Sequence, residues 1–328
     1  MKPKKYLVTG GTGFIGSALV KRLVKEGHQV RVLDNNLRGT PENLEEVKGK
    51  IELTSADIRD AQAVRKACRG MDSIIHLAYI NGTEFFYKMP ELVLDVAVKG
   101  MINAIGGAVN ENVREFVLAS SSEAYQHAGK IPTDETVPLV VPDPLNPRYS
   151  YGGGKIISEL MALNYGRKHF GRVMVFRPHN VYGPAMGWEH VIPQFVLRMK
   201  ELCKKNKSKT INFPIQGTGN ETRAFVFIDD FIDGLMLMLE KGEHMGIYHI
   251  GTMEEIQIKQ AAVEVGRYFG RAVKVVPGAL TEGSTPRRCP DITKLKKLGY
   301  KPRIPFRKGL QATAKWYDEN SRKCPIRR

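Results

Sequence analysis

Cysteine is scarce. The 328 residues carry four, Cys68, Cys203, Cys289 and Cys324, too scattered for a zinc site or a disulfide framework. A reducing cytoplasm is therefore the expected compartment. None of the eight histidines stands at metal-ligand spacing and there is no H-E-x-x-H, so no metal is expected. Runs of eighteen apolar residues, internal repeats and low-complexity tracts are also lacking, which argues against a membrane partner. Met1-Lys2-Pro3-Lys4-Lys5 leads directly into an apolar run, so the chain reads as soluble and untargeted. Acidic residues are the minority, 34 against 50 Lys and Arg, for a formal charge of +16. Such a balance raises nucleic acid as a partner. Yet the basic residues are dispersed, with local runs only at Lys204-Lys205-Asn206-Lys207-Ser208-Lys209 and from Arg322-Lys323 to Arg327-Arg328. These read as solvated loop and terminus, and no nucleic-acid partner is expected. A positive field would also gather a doubly anionic diphosphate.

Glycine, by contrast, is concentrated where it matters. Tyr6-Leu7-Val8-Thr9 enters Gly10-Gly11-Thr12-Gly13-Phe14-Ile15-Gly16 and then an amphipathic segment to Glu26. That is strand, glycine turn, helix. Gly10 allows the turn, Gly13 admits a pyrophosphate to the backbone, Gly16 lets helix and strand approach, and the helix N-terminus offers free N–H donors. The implied ligand is a dinucleotide. A second apolar run, Gln29-Val30-Arg31-Val32-Leu33, ends in Asp34, at the distance where a carboxylate meets the adenosine ribose. Asp34 favours NAD, since it would repel a 2′-phosphate, although Arg38 follows closely.

The apolar content of 42% suffices for a full core. Strand patterns near 5–9, 29–33, 51–54, 73–77, 115–120 and 172–177 alternate with helical patterns at 14–26, 60–69, 90–110 and 150–169. Such alternation predicts an α/β protein, a Rossmann-like doubly wound parallel sheet with helices on both faces and a smaller C-terminal substrate-binding lobe. Prolines 178, 184, 193 and 214 and glycines 183, 187, 217 and 219 break the rhythm. The expected division is a dinucleotide-binding domain over 1–178, with 225–275 returning to it, and a lobe from 179–224 and 276–315.

Pro147-Arg148-Tyr149-Ser150-Tyr151-Gly152-Gly153-Gly154-Lys155 opens the helix running to Phe170, which puts Tyr151 and Lys155 one turn apart on one face. A lysine there can hold a tyrosine as phenolate. Moving a phenol from about 10 to about 7 takes about 4 kcal/mol, within reach of an ammonium and a cationic nicotinamide together. Tyr151 is then a general base. Upstream, strand 115–120 runs into Ser120-Ser121-Ser122-Glu123-Ala124-Tyr125, and if the strand persists Ser121 and Glu123 project to one side.

With these residues in order, the chain resembles an extended short-chain dehydrogenase/reductase of the nucleotide-sugar epimerase/dehydratase group. The resemblance spans nearly the whole length. It rests on the glycine motif, Asp57-Ile58, His76-Leu77-Ala78, the tyrosine–lysine pair and Arg177-Pro178-His179-Asn180-Val181-Tyr182-Gly183-Pro184. Gly217-Thr218-Gly219-Asn220-Glu221-Thr222-Arg223 and Pro286-Arg287-Arg288-Cys289-Pro290-Asp291 complete it. It implies an NAD-dependent enzyme acting on a nucleotide-diphosphate sugar by transient oxidation at carbon 4, with the cofactor regenerated internally. Gly10, Gly13, Phe14, Ile15, Gly16, Asp34, Asp57, Ile58, Leu77, Ala78 and Lys155 are then cofactor residues. Tyr151, Lys155, Ser121 and Glu123 are catalytic. Ser122, Asn180, Arg223 and Arg288 hold substrate, the arginines through its phosphates, with Arg287 the weaker candidate of its pair. A homodimer is implied, pairing helices 90–110 and 150–169 through Leu92, Val96, Ile156, Leu160 and Leu163.

Glu123 bears on which reaction follows. Ser-Ser-Glu before Ala124-Tyr125 is similar to the 4,6-dehydratases, where the glutamate takes the carbon-5 proton, and to UDP-glucuronate decarboxylases. Dehydratase and epimerase rank together, with the decarboxylase as the alternative, towards which Arg287-Arg288-Cys289-Pro290-Asp291-Ile292 leans. A non-catalytic dinucleotide sensor is the rival from another class, opposed by Tyr151 and Lys155. Gly152-Gly153-Gly154, Gln126, Ala97 and Met101 depart from the family's usual residues. Glycine in a helix costs about 1 kcal/mol each, so something is expected to need that space. Two loops, 81–87 and 186–190, are expected over the sugar, with Phe86 or Trp188 either stacking on a ring or packing within its own lobe.

Overall fold

The computed structural model describes residues 2–279 and 285–324. Residues 280–284 of the expected lobe and the tail pair Arg327-Arg328 lie outside them. The first half alternates as β1 (Lys5–Thr9), α1 (Phe14–Lys25), β2 (Gln29–Asp34), β3 (Ile51–Ser55), α2 (Ala61–Cys68), β4 (Ser73–His76), α3 (Thr83–Lys88), α4 (Pro90–Asn110), β5 (Glu115–Ala119), α5 (Tyr149–His169) and β6 (Arg172–Pro178). There follow β7 (Val181–Tyr182), α6 (Val191–Lys205), β8 (Thr210–Pro214), β9 (Thr222–Ala224), β10 (Val226–Phe227), α7 (Ile228–Lys241) and β11 (Gly246–Ile250). The chain ends with β12 (Glu255–Gln257), α8 (Ile258–Tyr268), β13 (Ala272–Val276), β14 (Arg287–Arg288), α9 (Thr293–Lys297) and α10 (Phe306–Glu319).

Seven strands form one parallel sheet in the order β3-β2-β1-β4-β5-β6-β11. Its central strands are buried on both faces, which is why they read as continuous apolar runs rather than alternations. Alternate side chains feed two cores. Tyr6, Val8 and Val32 pack with Leu19 of α1 and Leu235 of α7, while Leu7 and Leu33 pack with Val64 of α2, Met101 of α4 and Ala162 of α5. Strand order reverses between β1 and β4, so a crevice opens beyond the carboxyl ends of these strands. Asp34, His76, Ala119 and Pro178 all end strands there.

Within the stretch 225–275, β11 joins the main sheet beside β6 and α7 packs on α1. Helix α8 instead contacts α6 and α10, β12 pairs with β9, and β13 pairs with β8. Helix α4 is long and apolar enough to span a membrane, at mean hydropathy 1.6, yet half of that window is buried in the protein. Its inner face is core and its composition follows from that.

Candidate active site

The crevice is a cleft of about 910 Å³ that reaches from Gly10 to Lys323. At its floor, a Cβ on Gly16 would come within 2.1 Å of the Gly10 carbonyl oxygen. Gly10 itself has φ +74°, and a Cβ there would meet the Ala78 nitrogen at 2.7 Å. Helix α1 begins at Phe14 with no side chain capping its first turn, and Gly13, Phe14, Ile15 and Gly16 line the cleft. Asp34 is buried at the end of β2, where Oδ2 accepts the Thr12 N–H at 3.0 Å and Oδ1 accepts the Asn36 N–H at 2.8 Å. Each oxygen keeps a lone pair for a ribose diol. Arg38, whose proximity left NADP open, is bound instead to Glu189 across the cleft and lies over the Phe85 ring. Asp57 is held by Arg59 and by Asn35, and these bonds pull its carboxyl down to about 2. Asp57, Ile58, Leu77 and Ala78 complete the wall. An uncapped helix start, a crowded glycine turn and a fixed buried carboxylate fit a dinucleotide.

Beyond β5 the strand does not persist. Ser121 is extended, but its Oγ accepts the Glu123 N–H at 3.1 Å and so starts a 3₁₀ turn over Ser122–Tyr125. Ser121, Ser122 and Glu123 reach the cleft from that turn rather than from one face of a strand. The buried Ser120 hydroxyl there has no partner among the described residues. Opposite, Tyr151 and Lys155 are both buried on the first turns of α5. Lys155 Nζ donates to the Ala119 carbonyl at 2.7 Å. Burial pushes Tyr151 up to about 12, against a hydrogen bond with Ser121 that lowers it, and brings Lys155 down to about 7. Phe86 stacks on Tyr151 at 4.9 Å between centroids. It therefore covers the phenol, while Trp188 packs on Trp316 and Tyr317 of α10.

The arginines converge on one carboxylate. Arg288 Nη1 donates to Glu123, and Arg288 Nη2 donates to Thr285 Oγ1 at 3.1 Å. Arg148 Nη2 stands 3.9 Å from the other oxygen of Glu123. Arg223 faces Arg288 in the register of β9 with β14, bonds the Thr222 carbonyl at 2.8 Å, and is brought down to about 10 by burial and by Arg288. It does not line the cleft, whereas Arg288 does. Burial raises the Glu123 carboxyl, but Arg288, Arg148 and Arg223 outweigh it and hold the group below the usual glutamate range. Arg287 turns away to Glu255, at 2.6 and 2.8 Å. Asn180 has φ +41° and lines the cleft with a buried Nδ2 that no group among the described residues pairs.

Two of the three helix glycines now have a cause. A Cβ on Gly152 would stand 2.5 Å from Gln126 Nε2, and one on Gly154 would stand 2.2 Å from the Tyr79 hydroxyl and 2.7 Å from the Ala97 Cβ. Nothing in the structure requires Gly153, whose Cβ would meet only Val141 at 3.5 Å. Gln126 itself has φ +51°, which explains why glycine is the family's usual residue there. Gly154→Ala is expected to destabilise the fold by about 1–3 kcal/mol by overpacking, although propensity alone would gain about 1 kcal/mol. Thermal or urea unfolding measures which effect wins. Tyr79 and Arg148 were not picked out by sequence reasoning. A bulky residue after Leu77-Ala78, matched by a glycine three places past Tyr151, was the available signal for Tyr79.

Comparison with known proteins gives the same grouping. UDP-glucuronic acid decarboxylase 4 of Arabidopsis thaliana is 32% identical over 320 residues, which is 96% of this chain and 68% of that one. UDP-N-acetyl-alpha-D-glucosaminuronate decarboxylase of Bacillus cytotoxicus is 27% identical over 328 residues, covering 96% and 98%. The crystal structure of dTDP-glucose 4,6-dehydratase from Streptomyces venezuelae, with NAD bound, superposes with a TM-score of 0.85 at 30% identity, covering 99% of this chain and all of that one. The profile of one family matches residues 6–251, across the glycine turn, the tyrosine–lysine pair and β11, and on that match the chain belongs to the NAD dependent epimerase/dehydratase family.

Proposed function

We propose that the chain holds NAD along the wall from Asp34 to Lys155 and oxidises carbon 4 of a nucleotide-diphosphate sugar. We further propose that the sugar is a uronic acid, which leaves as the decarboxylated pentose derivative. NAD, when bound, would supply the hydride acceptor and donor for carbon 4 and a cationic ring that favours an ionised Tyr151. Tyr151 takes the proton of the 4-hydroxyl, Ser121 orients that hydroxyl, and Lys155 supports the phenolate. A ketone at carbon 4 stands β to the carboxyl at carbon 6. The bond between carbons 5 and 6 can then break, its electron pair passing into the carbonyl as carbon dioxide leaves. A proton from solvent restores carbon 5, and Tyr151 returns its own proton to the oxygen on carbon 4. Asn180, with its unpaired donor, is assigned to the diphosphate.

The observation that carries the decarboxylase reading is the arginine ring around Glu123. Two guanidiniums that line the cleft, Arg288 and Arg148, stand against the one carboxylate of Glu123, with Arg223 behind them outside the lining, and so supply positive charge at this end of the cleft. That suits an anionic sugar. A carboxylate held below its usual range is also a poorer base for the carbon-5 proton, which disfavours dehydration. The named sequence relatives act on uronates, which supports the same choice. Mass spectrometry of products from UDP-glucuronate, UDP-N-acetylglucosaminuronate, UDP-glucose and dTDP-glucose tests it. Loss of carbon dioxide is expected from a uronate. Loss of water would make Glu123 a dehydratase base, and unchanged mass at a new retention time would mean epimerisation.

A homodimer through α4 and α5 belongs to the same reading. Val96, expected at that interface, is buried inward, and the apolar side chains exposed on the pair are Leu94, Ile102, Ile157, Leu160 and Tyr165. Residues 94 and 102 lie two turns apart on α4, on one face. Leu160→Glu is expected to convert the dimer to monomer at micromolar concentration, as sedimentation velocity would read. A cytoplasmic setting is proposed with it, since four scattered cysteines suit a reducing compartment.

A further inference from the structure

Lys155 has an ammonium to keep charged inside the protein, and the carboxylate whose charge favours it, Glu159, acts only from a distance. Among the described residues it enters no ion pair. Glu159, one turn along α5, gives both oxygens to Arg177, at 2.8 and 2.6 Å. His76 on β4 faces Lys155 but is held neutral, burial bringing it down to about 3, and bonds Thr9. Tyr151 presents its ring at 5.7 Å from the Nζ. From β5 comes only the Ala119 carbonyl. Against the ammonium lies Tyr79, whose ring centroid is 3.6 Å from Lys155 Nζ.

We propose that Tyr79 is a positioning residue of the reaction: the face of its ring stands in for a counter-ion and holds the Lys155 ammonium beside Tyr151. A cation over an aromatic face is attracted by the ring quadrupole, most strongly where water is excluded. The placement is fixed from two further sides. The Tyr79 ring meets Tyr151 edge-on at 5.2 Å, and its hydroxyl donates to the Tyr151 carbonyl at 3.4 Å. The helix has also given up a side chain to admit it, since any Cβ at Gly154 would overlap the Tyr79 hydroxyl. Four residues, Tyr79, Tyr151, Gly154 and Lys155, therefore act as one packed unit. In it the phenol and the amine are bridged by a second aromatic ring.

The proposal rests on the role given above to Tyr151 and Lys155, but its test does not need the substrate. The full chain is labelled with ¹³C at lysine Cε, the Lys155 signal is assigned with Lys155→Met, and its titration is followed by NMR without sugar nucleotide. Tyr79→Phe keeps the ring face and is expected to leave the midpoint in place. Tyr79→Leu and Tyr79→Met remove the ring and are expected to lower it by about one pH unit. Two non-aromatic variants guard against one failing to fold. A packing role alone would lower the melting temperature of both and move neither midpoint, which would overturn the proposal. So would an equal fall in Tyr79→Phe, since the hydroxyl and not the ring would then be responsible. If the midpoints move as expected but no sugar nucleotide is turned over, the functional reading fails and this one stands.

Discussion

Tyr151→Phe is expected to reduce kcat by about a thousandfold, in the range found when a general acid–base group is removed. The affinity for NAD and for the sugar nucleotide should change by no more than a few-fold. Phenylalanine keeps the stacking on Phe86 and the edge contact with Tyr79, so the pocket retains its shape. What goes is the one oxygen that can exchange a proton with the 4-hydroxyl. Steady-state kinetics beside a direct NAD titration separates the two quantities. A parallel loss of binding would mean that the ring, not the hydroxyl, was the essential part.

Arg288→Ala carries the second large effect, and it is selective. The guanidinium binds Glu123 within the cleft and its side chain is largely buried, so it acts on an anion at low dielectric. UDP-glucuronate should bind roughly 30-fold more weakly, about 2 kcal/mol, while UDP-glucose should lose less than threefold. Glu123 would also lose its strongest positive neighbour, so its carboxyl should titrate at higher pH than in the parent chain. Calorimetric titration with both ligands and with UDP decides the assignment. Equal weakening of all three would return Arg288 to the diphosphate, where the family resemblance first put it.

The dinucleotide half of this site was legible because its signals are local. A strand, a glycine turn and an uncapped helix follow one another within a dozen residues, and each step has a backbone reason. The pairing of Glu123 with Arg288 was not legible. It depends on β14 settling beside β9 and on a serine side chain turning the end of β5 into a 3₁₀ helix, both of which are tertiary outcomes. The same holds for α8 and β13, whose patterns match those of the main domain but whose contacts are with α6, α10 and β8. The glycines of α5 fell between these cases. Their oddity was visible in the sequence, while Tyr79 and Gln126, the side chains that need the space, come from segments far along the chain.

Transient oxidation at carbon 4 is the claim on which the rest depends, and UDP-glucuronate carrying deuterium at that carbon tests it most directly. The account predicts that the deuterium slows turnover by a primary isotope effect, that the product keeps it at carbon 4 and that added NAD gains none, because the hydrogen leaves and returns within one cleft. No isotope effect on turnover would contradict oxidation at carbon 4, and deuterium lost to water or appearing in the free cofactor pool would contradict internal recycling.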